Sequence, residues 1–326
     1  MKILVIGLGS MGKRRIRLLQ EIDQDFKILA VDYKQTRRKE AEKIFGIETI
    51  VQLEDVTENQ KKEITCAFVC TSPLSHNSLI RTCLENDWHV FTELNLISDG
   101  YEENINLARK KGKILFISST FLYREEMLYI KAHTKGVHHL NYIYHVGQYL
   151  PDWHPWESYK NFFVSDKKTN GCREIMALEF PWLIDVFGEI EEVSVCSDNM
   201  SQLSLDYKDN YMIQLTHENE NKGMLMVDVV CPYAVRNLEV YGENLYIRWN
   251  GTPESLQSYD IATRRMIKTN VYKRVEKLQG YSNTIVENAY KNEIIEFFKI
   301  LKDGKKQQYS FEKDLEILQL LDKIEG

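Results

Sequence analysis

Six residues near the start of the chain, Gly7-Leu8-Gly9-Ser10-Met11-Gly12, have the glycine spacing of a loop that wraps a pyrophosphate. They directly follow an apolar run, Ile3 to Ile6, and open a stretch in which Ile16, Leu19 and Ile22 keep helical spacing. In that context Gly7 permits a tight turn, Gly9 lets the backbone approach the phosphates, and Gly12 lets helix and strand pack closely. The phosphates then lie at the positive end of the helix. Asp32 follows Gly12 by 20 residues and ends the next apolar run. A carboxylate there accepts bonds from the adenosine ribose hydroxyls and repels a 2′-phosphate. Lys34, Arg37 and Arg38 can answer that charge, so NAD is the expected cofactor with NADP possible.

A second group of chemically able residues lies past the middle of the chain. Tyr149, Trp153, His154, Trp156, Tyr159, Phe162 and Phe163 crowd a stretch interrupted by Pro151 and Pro155, with little helical periodicity, which reads as a loop. Aromatic faces suit the C–H faces of a sugar ring, and His154 can titrate near neutral pH. Gly171-Cys172-Arg173-Glu174 then opens a helix in which Glu179, Trp182 and Asp185 recur every three residues on one face, with Pro181 a candidate kink. Arg173 could clamp a carboxylate or phosphate, with Glu179 or Asp185 orienting a hydroxyl. His138 and His139 would point to opposite faces of a strand, and no metal site is expected.

These residues need a scaffold, and the apolar pattern supplies one. Ile3 to Ile6, Ile28 to Val31, Ala67 to Cys70, His89 to Thr92 and Ile114 to Ile117 read as strands, with amphipathic stretches between them. That βαβ rhythm predicts an N-terminal doubly wound parallel sheet of Rossmann type over residues 1–120. Over 121–326 the rhythm changes. Tyr142 to Val146, Tyr211 to Leu215, Met224 to Val227 and Leu245 to Trp249 predict a large, mostly antiparallel open sheet in a second α/β domain, ending in two helices, Asn292 to Leu301 and Phe311 to Ile324. The 326 residues suit two domains, and 42 basic against 48 acidic residues advertise neither nucleic acid nor membrane as partner. Six cysteines without a paired spacing read as core residues in a reducing compartment, and no apolar stretch has the length of a membrane span, so the cytoplasm is the expected location.

The glycine fingerprint, Thr71-Ser72-Pro73 with His76, Glu93, Asp185, the stretch Leu238 to Gly242, and Tyr290 with Glu293, Phe297 and Gly304 together resemble the glucose-fructose oxidoreductase and inositol dehydrogenase family. The resemblance implies a bound nicotinamide cofactor, with Thr71, Ser72, Pro73, His76 and Glu93 on its side, hydride exchange with a sugar or polyol, and dimers or tetramers formed through the open sheet. Two positions depart from the family pattern. The family carries Glu-Lys-Pro where this chain has Glu93-Leu94-Asn95, and a His where it has Trp182. Neither Leu nor indole moves a proton at neutral pH.

The expectation is therefore an NAD(P)-dependent oxidoreductase acting on a sugar, sugar acid or nucleotide sugar. The Tyr142 to Glu174 stretch resembles a subgroup that acts in surface-polysaccharide and sialic-acid-like sugar metabolism, which the resemblance implies here. His154, Tyr149 and Glu179, in that order, are the candidates for the missing proton chemistry. Asn95, Trp153, Arg173, Trp182 and Asp185 are candidates for substrate contact. The alternative is a dinucleotide-binding sensor or scaffold that has lost turnover together with the family's Lys and His.

Overall fold

The alternating runs resolve into β1 (Lys2–Ile6), α1 (Ser10–Ile22), β2 (Lys27–Val31), α2 (Gln35–Phe45), β3 (Glu48–Ile50), α3 (Glu58–Glu63), β4 (Ile64–Val69), α4 (His76–Glu85), β5 (His89–Thr92), α5 (Tyr101–Lys111) and β6 (Leu115–Ile117) in a computed structural model of the chain. The structure describes residues 1–326 apart from Pro155, Trp156, Phe162, residues 279–281 and Asn283. The six strands are parallel, in the order β3-β2-β1-β4-β5-β6. Strands covered on both faces need continuous apolar runs, and Ile3, Leu4 and Val5 of β1 and Ala67, Phe68 and Val69 of β4 have no exposed surface. The strand order reverses between β1 and β4, which opens a crevice beyond their carboxyl ends. The glycine loop after β1 and Thr71-Ser72-Pro73 after β4 both lie there.

The chain then forms α6 (Glu125–Thr134), β7 (Asn141–Gly147), α7 (Gly171–Phe187), β8 (Ile190–Asp198), β9 (Asn210–His217), β10 (Lys222–Asp228), β11 (Val235–Gly242), β12 (Leu245–Trp249), β13 (Gln257–Asp260) and β14 (Arg265–Lys268). These eight strands run β14-β13-β12-β11-β7-β10-β9-β8, antiparallel except where β7 and β10 run together. One face packs against α7: Tyr142 stacks on Phe187 with centroids 4.2 Å apart, and Tyr144 meets Trp182 edge-on at 5.5 Å. The other face exposes Ile143, Met212 and Met224. Helix α7 continues across Pro181. His138 and His139 precede β7 instead of sitting within a strand, with His139 left-handed at φ 57°. Cys66, Cys70, Cys83 and Cys172 are buried, whereas Cys196 is exposed on β8, outside the expected core.

Two helices close the chain, α8 (Glu287–Asp303) and α9 (Phe311–Glu325). The chain divides into two units, Met1–Ser119 with Lys291–Leu318, and Thr120–Tyr290 with Gln319–Gly326. Residues 291–318, expected in the second domain, thus cluster with the first. The cause is apolar: Phe297 lies edge-on to Phe68, Phe91 and Phe116, each with centroids 5.6 Å away.

Candidate functional site

The glycines behave in three different ways. Gly7 has φ +95°, a conformation that only glycine adopts readily, and a Cβ there would meet the Cys70 carbonyl oxygen at 2.7 Å. A Cβ on Gly12 would come within 1.8 Å of the Gly7 carbonyl oxygen. Gly9 has room for a side chain, the nearest atom to a Cβ being Nη1 of Arg37 in ordinary contact at 3.9 Å. Gly9 is also the cap of α1 and brings no side chain to its first amides, which leaves that role to an anion. Ser10 and Met11 begin the helix. The loop therefore fits a pyrophosphate: packing requires glycine at positions 7 and 12, and the space a phosphate would use lies in front of position 9.

Asp32 is buried and fixes this loop. One carboxylate oxygen accepts from the Leu8 amide at 2.8 Å and the other from the Lys34 amide at 2.8 Å. A carboxylate has about four acceptor positions, so capacity remains for ribose hydroxyls. Arg37 lies 3.6 Å from the same carboxylate and beside Gly9, while Arg38 donates to the backbone carbonyls of Asp32 and Tyr33. Arg38 is thus committed to the backbone, whereas Arg37 reaches the Asp32 carboxylate from a partly exposed position.

Across the crevice, Thr71-Ser72-Pro73 leads into a short turn, Pro73–Ser75, and then α4. The Ser75 hydroxyl donates to Thr71 Oγ1 at 2.8 Å. His76 is buried, with Nε2 3.0 Å from the Thr71 carbonyl oxygen and Nδ1 2.5 Å from Asn95 Oδ1. Asn95 is only 2% exposed and also bonds Tyr101, so its amide is committed inside the unit and does not present a surface for substrate. Glu93 is likewise committed. Arg15 Nε and Nη2 reach its two oxygens at 2.6 and 3.0 Å. Arg15 also donates to Glu293 at 2.9 Å and to Ser118 at 3.0 Å, and the Ser119 amide bonds Glu293 at 2.6 Å. Arg15 and Glu293 are both without exposed surface, and burial pushes the Glu293 carboxyl above the usual range against the pull of Arg15. Sequence reasoning missed Arg15, although its place four residues before Leu19 puts it on the buried stripe of α1.

In the second unit, Glu179 is fully buried. It accepts from Tyr144 at 2.8 Å and Trp182 Nε1 at 2.7 Å, and is paired with Arg236. Arg236 lies 4.5 Å from the centre of the Phe121 ring. Glu179 and Trp182 are thus brought together as expected of one helix face, but as a closed internal cluster. Asp185 stands apart and pairs with Lys131 at 2.7 Å. Arg173 is 5% exposed and reaches Asp322 at 2.7 Å and Glu325, so its guanidinium anchors the chain end where a substrate clamp was expected. Glu174, whose Oε2 lacks a partner among the described residues, is pushed by burial up to about 7.

The aromatic segment is a series of single turns, as a loop should be. Trp153 Nε1 donates to the Gln148 carbonyl at 3.1 Å, and His154 Nδ1 lies 3.1 Å from Glu157. Tyr149 is half-buried. Trp156 and Phe162, named with this segment, lie outside the described residues. Among the described residues no group of three or more His, Cys, Asp or Glu is placed to hold a metal ion, and no helix is long and apolar enough to cross a membrane.

Residues 1–119 match the model of an oxidoreductase family with an NAD-binding Rossmann fold. Biliverdin reductase A of Mus musculus is 28% identical over 228 residues, 68% of each chain. Among solved structures, levoglucosan dehydrogenase in complex with NADH superposes with TM-score 0.80 at 15% identity, covering 99% of this chain and 95% of that one. UDP-N-acetylglucosamine 3-dehydrogenase from Acidithiobacillus ferrooxidans does so with TM-score 0.78 at 13% identity, covering 100% and 96%. At such identities these structures show a shared fold over the whole chain. Residues 1–119, with their fingerprint loop and Asp32, thus form a domain similar to the NAD-binding Rossmann domain of that oxidoreductase family.

Proposed function

We propose that this oxidoreductase passes a hydride between NAD(P) and a hydroxyl-bearing carbon of a sugar, sugar acid or nucleotide sugar, in the metabolism of surface polysaccharides or sialic-acid-like sugars. The observation that carries the reading is the uncapped start of α1 at Gly9, where a Cβ would meet only Arg37 Nη1, beside the buried Asp32. The names of the levoglucosan and UDP-N-acetylglucosamine dehydrogenases of the same fold support a carbohydrate substrate. In this reading the enzyme works in the cytoplasm as a homodimer or homotetramer, and the exposed Ile143, Met212 and Met224 on the open sheet face support the assembly.

The nicotinamide, when bound, supplies or accepts the hydride. The chain must bind the dinucleotide and handle the proton. His154 remains the first candidate for that proton, because Glu157 beside Nδ1 can orient the ring as a carboxylate orients a general base. Tyr149 is second. Glu179 is last, because all its partners are internal and its charge is answered by Arg236. Replacing His154 by Gln should lower kcat at least tenfold with unchanged NADH affinity, since positioned proton transfer contributes on the order of 10²-fold or more. Turnover at the wild-type level in the variants His154→Gln, Tyr149→Phe and Glu179→Gln alike would remove the assignment.

Arg37 makes a separate prediction about the cofactor. Arg37→Ala should weaken NADPH binding about tenfold, the loss of one charge-assisted phosphate contact, and leave NADH within about twofold. Fluorescence titration of the two reduced dinucleotides reads both values, and equal losses would show that Arg37 does not meet the 2′-phosphate.

A second reading is favoured by the 28% identity to biliverdin reductase A, which exceeds the identity to the sugar dehydrogenases above. It makes the chain a reductase acting on biliverdin. A third is a cofactor-binding sensor without turnover, motivated by Leu94 and Trp182. The deciding experiment follows NADH and NADPH at equilibrium and in time with nucleotide sugars, sugar acids and biliverdin. Consumption with a sugar supports the first reading and consumption with biliverdin the second, while tight binding without consumption supports the third.

A further inference from the structure

A buried line of hydrogen bonds runs through the first unit from Asp314 to the Thr71 carbonyl. Asp314 of α9, 1% exposed, accepts from Tyr309 at 2.6 Å and from the Tyr101 hydroxyl. Tyr101 receives Asn95 Nδ2 at 2.8 Å. Asn95 Oδ1 lies 2.5 Å from His76 Nδ1, and His76 Nε2 lies 3.0 Å from the Thr71 carbonyl oxygen.

Counting hydrogens along this line gives two arrangements. A tyrosine hydroxyl has one hydrogen, an ionised carboxylate only accepts, and an amide accepts at oxygen and donates at nitrogen. With Asp314 ionised, Tyr101 gives its hydrogen to the carboxylate and Asn95 gives one to Tyr101. The amide oxygen then faces His76, which must carry a hydrogen on Nδ1. A neutral ring in this state has none left on Nε2 for the Thr71 carbonyl. With Asp314 protonated and Tyr309 still donating to Oδ1, the carboxyl hydrogen sits on Oδ2 and goes to the Tyr101 oxygen, and the Tyr101 hydroxyl turns to the Asn95 oxygen. The amide turns over, its NH₂ faces Nδ1, and the ring hydrogen sits on Nε2, bonded to Thr71.

We propose that Asp314 is a positioning residue for the Thr71-Ser72-Pro73 loop, acting through Tyr101 and Asn95 to decide which ring nitrogen of His76 carries the hydrogen. Asn95 is the switch in the middle, because turning over its amide exchanges acceptor for donor at His76 Nδ1. Burial pushes the Asp314 carboxyl up to about 6, and burial lowers His76, which disfavours the charged ring. Burial also raises Tyr101 and Tyr309 well above the usual phenol range, so both hydroxyls keep their hydrogens. The other groups facing His76 are the Thr92 hydroxyl, 3.3 Å from Nδ1, and the charge of Glu93, which Arg15 holds.

The test is nitrogen-15 NMR of the histidine rings, with His76 identified from a His76→Gln variant. Asp314→Asn keeps the shape. With its amide oxygen accepting from Tyr309 as Oδ1 does in the wild type, its NH₂ donates to Tyr101 at every pH and makes the neutral arrangement permanent. In the wild type, Nδ1 of His76 should carry the hydrogen at about pH 8 and lose it to Nε2 as the pH falls through the Asp314 range. In Asp314→Asn, Nε2 should carry it at both ends. Tyr101→Phe cuts the line with Asp314 in place and should abolish the pH-dependent change, which covers the case in which Asp314→Asn fails to fold. An Nδ1 hydrogen at about pH 8 in folded Asp314→Asn, or an unchanged wild-type response in Tyr101→Phe, overturns the relay.

The role of the loop rests on the cofactor reading above, and its readout is separate. With Thr71 permanently held, Asp314→Asn should bind NADH several-fold more tightly than the wild type at about pH 8. A changed tautomer with unchanged NADH affinity would keep the relay and overturn its positioning role at the cofactor.

Discussion

Gly12→Ala is expected to damage the fold of the first unit, and Gly9→Ala to spare the fold and lose the dinucleotide. The difference follows from what each new methyl group meets. At Gly12 it meets the backbone oxygen of Gly7 at 1.8 Å, and neither backbone can withdraw because α1 and β1 are both packed behind it. Overpacking of that severity costs about 3 kcal/mol or more, which in a chain of this size lowers Tm by roughly 5–10 °C. At Gly9 the nearest atom is Arg37 Nη1 at 3.9 Å, and the backbone at φ −71° suits any residue. Stability should fall by no more than about 1 kcal/mol, the usual penalty for alanine at a helix cap. The methyl nevertheless occupies the approach to the first amides of α1, so NADH affinity should fall at least tenfold. Thermal unfolding and NADH titration of the two variants separate packing from binding. Wild-type NADH affinity in Gly9→Ala would show that the pyrophosphate does not lie over this loop.

What was readable in the sequence divides along a physical line. Features set by local periodicity were legible: Leu245 to Trp249 coincides with β12, and the fingerprint lies between a strand and a helix as its spacing requires. The three-residue β3 was not legible, because it is too short for alternation to show. The partners of charged residues were not legible either, because they are settled by tertiary proximity across large sequence separations. Arg173 and Glu179 looked like substrate groups by type and spacing, yet Glu325 and Arg236 absorb them from far along the chain. Asp314 gave no local sign, standing among Glu312, Lys313 and Glu316 in an amphipathic helix, but it is the end of a buried hydrogen-bond line. Glu93 is the middle case. The motif that singled it out was visible, while its commitment to Arg15 depended on tertiary contact with α1 and its proximity to Glu293 on α8 returning to the first unit.

That return underlies the second large effect. Arg15→Met should destabilise the first unit by about 3–5 kcal/mol, because it leaves Glu93 and Glu293 buried without their shared cation. The loss should also depend on pH in a direction that ordinary cavity formation does not produce. Burial already raises the Glu293 carboxyl in the wild type, with Arg15 opposing the rise, so removing Arg15 raises it further. A folded state that holds a proton the unfolded chain has released loses stability as the pH rises through the range between the two values. The deficit of Arg15→Met should therefore be largest at about pH 8 and shrink on acidification towards about pH 5. Adding Glu93→Gln and Glu293→Gln removes both stranded charges, and the triple variant should recover most of the stability and lose the pH slope. Urea unfolding of the three proteins at both pH values measures this directly. An Arg15→Met deficit below about 1 kcal/mol, or one equal at the two pH values, would mean that water reaches the carboxylates and that the cluster is not the dry ion pair its geometry describes.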